Sequence, residues 1–290
     1  MKCDLHVHTI HSGMCTVPVV RHFCRESYND PAEVYEKLKR SGMDLVTITD
    51  HDSIDAAEAL RKHDDFFMSE EATCLMPSGA EVHIGIYDIN DRQHIGIQRR
   101  REDFYSLMAY LNEERLLFSV NHLLSGLTGR RDRSDYLWFE SVFPCFETLN
   151  GAMAKISNTR AAELARLMGK APMGGSDAHT MRGVGSAFTS VPGAQSKTEF
   201  LRAVRQGRGQ VHGESGSFTK LTGDVLSICR DMIAERPWTS VLLPLAAAVP
   251  AVILVNCWME ASFAEKWFER ITSLRSDGML PSWNLGKVSA

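Results

Sequence analysis

From residue 2 to about residue 213 the chain alternates short β-branched runs with amphipathic stretches, and histidines and carboxylates gather at the C-terminal ends of the runs. Candidate strands fall at residues 2–8, 44–49, 66–73, 81–89, 116–120, 144–149, 171–175 and 186–191, with helical patterns at 31–41, 97–115, 157–169 and 196–207. Such alternation marks repeated βα units. Asp30-Pro31 reads as a helix cap followed by proline at the first helical position, and Gly42 and Gly169 read as helix ends. Seven or eight units in a stretch of this length suit a closed α/β barrel better than an open sheet. In a barrel these strand ends form one face, where chemistry is built.

Five or six of those ends offer a metal-type ligand. DLHVHT places His6 and His8 two apart, on one face of a strand. TITDHDS supplies Asp50 and His51, SEEAT supplies Glu71, EVHIG supplies His83, SVNHL supplies His122, and GGSDAHT supplies Asp177 and His179. Neutral imidazoles and carboxylates are ligands for zinc, manganese or iron. A carboxylate such as Glu71 or Asp177 can bridge two ions, as multi-metal hydrolases require. Asp50 is expected to orient an imidazole rather than bind a metal, and His122 or His179 to protonate a leaving group.

Composition narrows the field. A formal net charge of -4 gives no broad positive field, which counts against a dedicated nucleic-acid binder. The seven cysteines are scattered, odd in number and without a CxxC pair, so neither a disulfide framework nor a structural zinc finger is expected. MKCDLHVHT has no apolar segment of the secretory kind, and a cytoplasmic setting is expected.

The character changes after His212. GESGSF reads as a linker and residues 219–235 as an amphipathic helix, followed by a stretch with no charged residue between Arg236 and Glu260. Residues 1–213 are therefore expected to form the catalytic unit, and 214–290 a helical tail. Its apolar segment, about 237–259, either enters or lies on the inner face of a membrane, or docks as an apolar hairpin on the barrel or a partner. Pro244 and Pro250 make it a poor straight helix, and basic residues on both flanks give no orientation.

The order DLHxHT, TDHD, a strand ending in Glu, two further histidines and GSDAH resembles the PHP (polymerase and histidinol phosphatase) family over roughly residues 1–195. The resemblance implies a distorted (β/α)7 TIM-like barrel with a two- or three-metal centre (zinc, manganese or iron) that hydrolyses phosphate esters with a metal-activated hydroxide. By motif, His6, His8, Glu71 and Asp177 would hold the first ion and Glu71, His83 and His122 the second, while His51 and His179 would contribute to a third. SEEAT resembles the family's Glu-Val-Thr strand end, which favours Glu71 over Glu70 and Glu81. One position departs from the pattern: Gly13 stands where many relatives have an aspartate ligand of the third ion, which leaves His11, Cys15 or His22 as substitutes. The stretch around Glu147 and Asn150 resembles a family strand end that shapes the pocket floor or serves the fold.

Phosphate recognition usually adds arginine. The candidates are Arg130 and Arg131 after His122, Arg160, Arg182, and the Arg99–Arg101 run opening a helix. The expected substrate is a phosphorylated small molecule or nucleotide. The rival readings are a nuclease acting on nucleic-acid ends, a non-catalytic membrane-associated scaffold, and a metal-dependent C–N hydrolase.

Overall fold

The computed structural model describes residues 1–18, 20–128 and 131–276. Its described strands fall into two sheets. The larger has the order β2 (Ser69–Leu75), β3 (Glu81–Tyr87), β4 (Leu117–Val120), β5 (Cys145–Asn150) and β6 (Ala171–Gly175). The smaller pairs β1 (Lys2–Cys3) with β7 (Ala187–Ser190), and β7 with β8 (Gln210–Gly213), antiparallel throughout. The described helices are α1 (Pro31–Arg40), α2 (Ala57–Leu60), α3 (Asp91–Gln98), α4 (Phe104–Glu113), α5 (Arg133–Val142), α6 (Lys155–Leu167), α7 (Lys197–Arg205), α8 (Phe218–Glu235) and α9 (Val249–Ser276). The fold is mixed α/β, and β4, β5 and β6 run parallel.

It departs from uniform βα repetition in three places. Only five residues separate β2 from β3, too few for a parallel crossover, so the two pair antiparallel and β4 joins β3 antiparallel as well. The run at 186–191 forms β7 of the smaller sheet, with 210–213 as an unanticipated neighbour. Finally, most of 2–8 and all of 44–49 stay extended without forming regular ladders. Side chains take the ladder's place there. The Asp4 carboxylate accepts from the backbone N–H of His6, Ser176 and Gly185, and the Thr49 hydroxyl accepts from the N–H of Val7. Single pairings still tie these segments to the larger sheet: Val7 with Ala178, and His51 with Glu71, both parallel, while Thr49 N–H donates to Val7 C=O.

The β2–β3 hairpin shows how one sheet serves both core and site. Ala72, Cys74, Val82, Ile84 and Ile86 point into a large apolar cluster with Phe104, Leu107, Phe118 and Phe146. The alternate residues Glu71, Thr73, Glu81 and His83 line a cavity on the other face. Gly175 allows the close approach that completes this arrangement, since a Cβ there would strike the backbone N of His6.

The helices follow their caps. Asp30 accepts from the N–H groups of Ala32 and Glu33 at the start of α1. The pattern at 97–115 is divided, because Asp103 caps a new helix, α4; Arg99–Arg101 therefore link two helices instead of opening one. In the tail, the apolar segment forms a 3-10 helix, Pro237–Ala248, that runs into α9. The second half of α9 packs on the sheet's helices, with Ala264, Trp267 and Ile271 buried beside Tyr136 and Leu164.

Candidate metal centre

Glu71 is the hub. It is fully buried in the middle of β2, and five imidazoles surround it. Its Oε2 lies 3.2 Å from His6 Nε2, 3.4 Å from His8 Nε2 and 3.2 Å from His51 Nδ1. Its Oε1 lies 3.3 Å from His122 Nε2 and 3.7 Å from His83 Nδ1, and accepts from Asn121 Nδ2 at 2.8 Å. Glu70 points to the opposite face, bonded to His94 and Gln98, and Glu81 sits at the edge beside His83. Asp177 completes the centre, with its Oδ1 3.4 Å from His6, 3.3 Å from His8 and 3.6 Å from His179. The structure thus brings together all eight residues assigned by motif, from six separate stretches of chain.

Two of them reach the site through unusual backbone. His122 and Asp177 adopt φ of 28° and 50°, the left-handed region that side chains other than glycine rarely enter. Both stand just past the ends of strands, β4 and β6. The strained turn aims each side chain back over the strand ends.

Neighbouring residues fix which imidazole nitrogen faces the hub. His6 Nδ1 lies 2.8 Å from Glu147 Oε1, which orients the ring so that Nε2 faces the hub. The Ser12 hydroxyl donates to Asp50 at 2.6 Å and accepts from His8 Nδ1 at 3.0 Å, which leaves His8 Nε2 bare. Asp50 is thereby an orienting residue, also gripping the Thr9 N–H and hydroxyl. Glu147 does more than floor the pocket, since it also accepts from the His122 N–H and from Asn150, whose amide reaches Asp177.

The electrostatics follow from this crowding. Burial alone would raise the Glu71 pKa, but the imidazoles of His6, His51 and His83 hold the carboxyl well below the ordinary range. Burial would lower His6, yet Glu71, Asp177 and Glu147 hold it well above a usual histidine. His8 is pushed down to about 3 by burial and by His179, so its imidazole is neutral and fit to donate a lone pair.

The donor set fits divalent ions. Glu71 Oε2, His83 Nδ1 and His179 Nε2 are buried without a hydrogen-bond partner. Ligands about 2.1 Å from a shared tetrahedral ion lie about 3.4 Å from one another, and the contacts around Glu71 and Asp177 span 3.2–3.7 Å. Ligand atoms cluster tightly in four groups: His6, His8 and Asp177; His6, Glu71 and His122; His51, Glu71 and His83; and His8, His51 and His179.

Glu26 was not visible in the sequence as part of this centre. Its Oε1 lies 3.6 Å from His51 Nε2 and 3.7 Å from His179 Nε2, and its N–H donates to the C=O of Gly13. The chain leaves at Gly13 and returns at Glu26 through a loop closed by the Met14–Arg25 bridge. A carboxylate therefore stands beside the glycine that replaces the expected aspartate. Glu26, like His11, Cys15 and His22, lies outside the four groups, but it is the one with a carboxylate oxygen within 4 Å of His51 and His179. Replacing Glu26 with Gln should remove one ion per chain, read by elemental analysis, and slow hydrolysis by at least about tenfold; an unchanged metal content would exclude it as a ligand.

The arginines are engaged elsewhere. Arg160 forms a two-pronged pair with Glu265 at 2.9–3.0 Å and lies over the Phe268 ring, fastening α9 to α6. Arg131 is buried and donates to the Glu81 carbonyl and to Thr128. Arg130 lies outside the described residues. Among the described residues, no arginine or lysine lines the cavity, whose volume is about 500 Å³. Its far wall comes from Leu127, Met153, Ala154, Leu221 and, on α9, Asn256, Cys257 and Glu260.

Residues 155–208, which include α6, β6 and β7, match a family described as PHP-associated. A two-domain protein from Bacteroides vulgatus, described as containing a predicted PHP-like metal-dependent phosphoesterase, superposes with a TM-score of 0.55 at 15% identity, covering 74% of this chain and 65% of that one. The chain shares its fold with this PHP-like protein. PsfC from Pseudomonas syringae superposes on the chain with a TM-score of 0.53 at 15% identity, covering 80% of it and 98% of PsfC. The chain spans only about 65% of the Bacteroides protein's length, and at these identities the likeness is one of fold. No curated protein matches the chain significantly in sequence.

Proposed function

We propose that the chain is a metal-dependent phosphoesterase that cleaves a phosphate monoester. The observation that carries this reading is the convergence of five imidazoles on the buried Glu71, with Asp177 and Glu26 flanking them. His6, His8, Glu71 and Asp177 would hold one ion, Glu71, His83 and His122 a second, and His51, His179 and Glu26 a third. When bound, such ions activate a water and neutralise phosphoryl oxygens. The absence of arginine and lysine from the described cavity wall suits that division of labour, because the positive charge must then come from the ions.

The protein's own groups have distinct tasks. Glu147, Ser12 and Asp50 keep the His6 and His8 lone pairs directed inward. Asn121 and Asn150 hold the carboxylates of Glu71 and Asp177 in place. With only the first two ions bound, His179 is the imidazole left to protonate the departing oxygen, and it is more open than His122, at 23% against 10% side-chain exposure.

Metal content per chain, measured beside hydrolysis of an aryl phosphate, tests this reading. Two or three ions are expected, with activity lost on chelation and restored by manganese or zinc. A metal-free chain that stays inert after both additions would favour the scaffold reading.

A further inference from the structure

The helix that walls the cavity is inside out. Ile253, Asn256, Cys257 and Glu260 follow the i, i+3, i+4, i+7 spacing of one helix face. Ile253 and Glu260 are buried, and the three polar members line the cavity. Glu260 also accepts from the Gly126 N–H at 3.0 Å, which pins this face to the loop after His122. The opposite arc carries Val252, Leu254, Val255, Trp258 and Met259, every one more than half exposed and Trp258 70% exposed. A helix on a water-facing surface has the reverse arrangement.

The outward apolar surface continues through Trp238, Val241, Leu243 and Leu245. Residues Pro237–Ser273 form one helical run long and apolar enough to cross a membrane, but the inner face of α9 is occupied by the cavity and by Arg160–Glu265. That geometry suits a helix lying in the interfacial layer, not one crossing it. Indole rings favour the same depth, and Trp238 and Trp258 stand exposed near the two ends of the uncharged stretch. Arg21 is exposed near its base, where anionic headgroups would sit, while Arg230 and Arg236 pair with Asp231 and Glu235. Met14 and Leu127, both exposed, carry the apolar character to the rim of the cavity itself. Inside, one wall bears the ligand cluster, and the other mixes Leu127, Met153, Ala154 and Leu221 with the polar face of α9, so the cavity has room for a phosphate beside the start of a hydrocarbon chain.

We propose that the mouth of the cavity rests on a lipid bilayer through residues 237–259, and that the substrate is a phosphate monoester at the head of a lipid, admitted past Met14 and Leu127 at the rim. This rests on the phosphoesterase reading above.

The test uses the full chain loaded with manganese or zinc. It should sediment with phosphatidylcholine vesicles containing phosphatidic acid and release phosphate from them. The double variant Leu254→Glu/Trp258→Glu, which alters only the outward arc, should lose at least about tenfold in both. Its unchanged hydrolysis of a water-soluble aryl phosphate would show that the site is intact. Wild-type protein that stays in the supernatant, or a double variant that sediments equally well, overturns the bilayer contact. A concentration-dependent dimer that the variant disperses, without sedimentation of the wild type, assigns the surface to a second copy and also overturns it. Glycerol phosphate cleaved as fast as the vesicle lipid overturns the lipid substrate. Sedimentation of the wild type with no hydrolysis of any phosphate would instead fail the phosphoesterase reading, and with it the substrate, while upholding the membrane contact.

Discussion

Changing Glu71 to Gln is expected to reduce phosphate-ester hydrolysis by at least about a thousandfold, the equivalent of roughly 4 kcal/mol of transition-state stabilisation. Elemental analysis should show at most one ion left per chain. The reasoning is geometric. Both oxygens of Glu71 face imidazoles, Oε2 toward His6, His8 and His51 and Oε1 toward His83 and His122. No other described carboxylate touches all of them. Glutamine keeps the shape and can donate its amide to a bare imidazole nitrogen, so the fold should survive while the bridging charge disappears. Thermal unfolding separates the two effects. A variant that keeps its full complement of ions and works within tenfold of wild type would remove Glu71 from the centre of the mechanism.

Cutting the chain after Gly213 should prevent a cooperative fold. Ala264, Trp267 and Ile271 of α9 belong to the same apolar cluster as Tyr136, Phe139 and Leu164, and Trp267 lies against the ring of Tyr136. Loss of a buried tryptophan alone costs about 3–5 kcal/mol, against a typical total stability of about 5–15 kcal/mol. Removal of the whole helix also strips Glu265 from Arg160, leaving it only Glu163, and takes the Glu260 acceptor from the Gly126 N–H. The truncated chain should lack a sharp thermal transition, whereas Trp267→Ala should keep one with its stability lowered by about 3 kcal/mol. A truncated chain that unfolds cooperatively near the wild-type temperature would show that α9 is only an attachment.

The cluster around Glu71 was legible because strand alternation and ligand-type residues coincide. His6 and His8 sit two apart on extended backbone, and Asp177 and His179 follow a strand end, as their spacing indicates. Sheet direction was less legible. Periodicity of side chains is the same for parallel and antiparallel pairing, and only the shortness of the Met76–Ala80 connection separates them. Glu26 could not be read at all, because the loop that returns it to Gly13 is closed by backbone bonds, which carry no residue signature. Arg160 misled for a related reason: a helix that follows a sheet strand can face a pocket or a neighbour, and its partner, Glu265, lies 105 positions away.

The hairpin that carries Glu71 and His83 places a parity rule on the gene. Along these strands successive side chains change sides, and Thr73 stands opposite His83 in the register. One codon inserted within β2 between Glu71 and Leu75 would leave Glu71 facing the hydrophobic interior or turn His83 toward it. Two codons would restore the sense of both, though displaced along the strand. Length variation that preserves this centre should therefore concentrate in Pro77, Ser78 and Gly79, where the turn absorbs an odd residue without reversing either face.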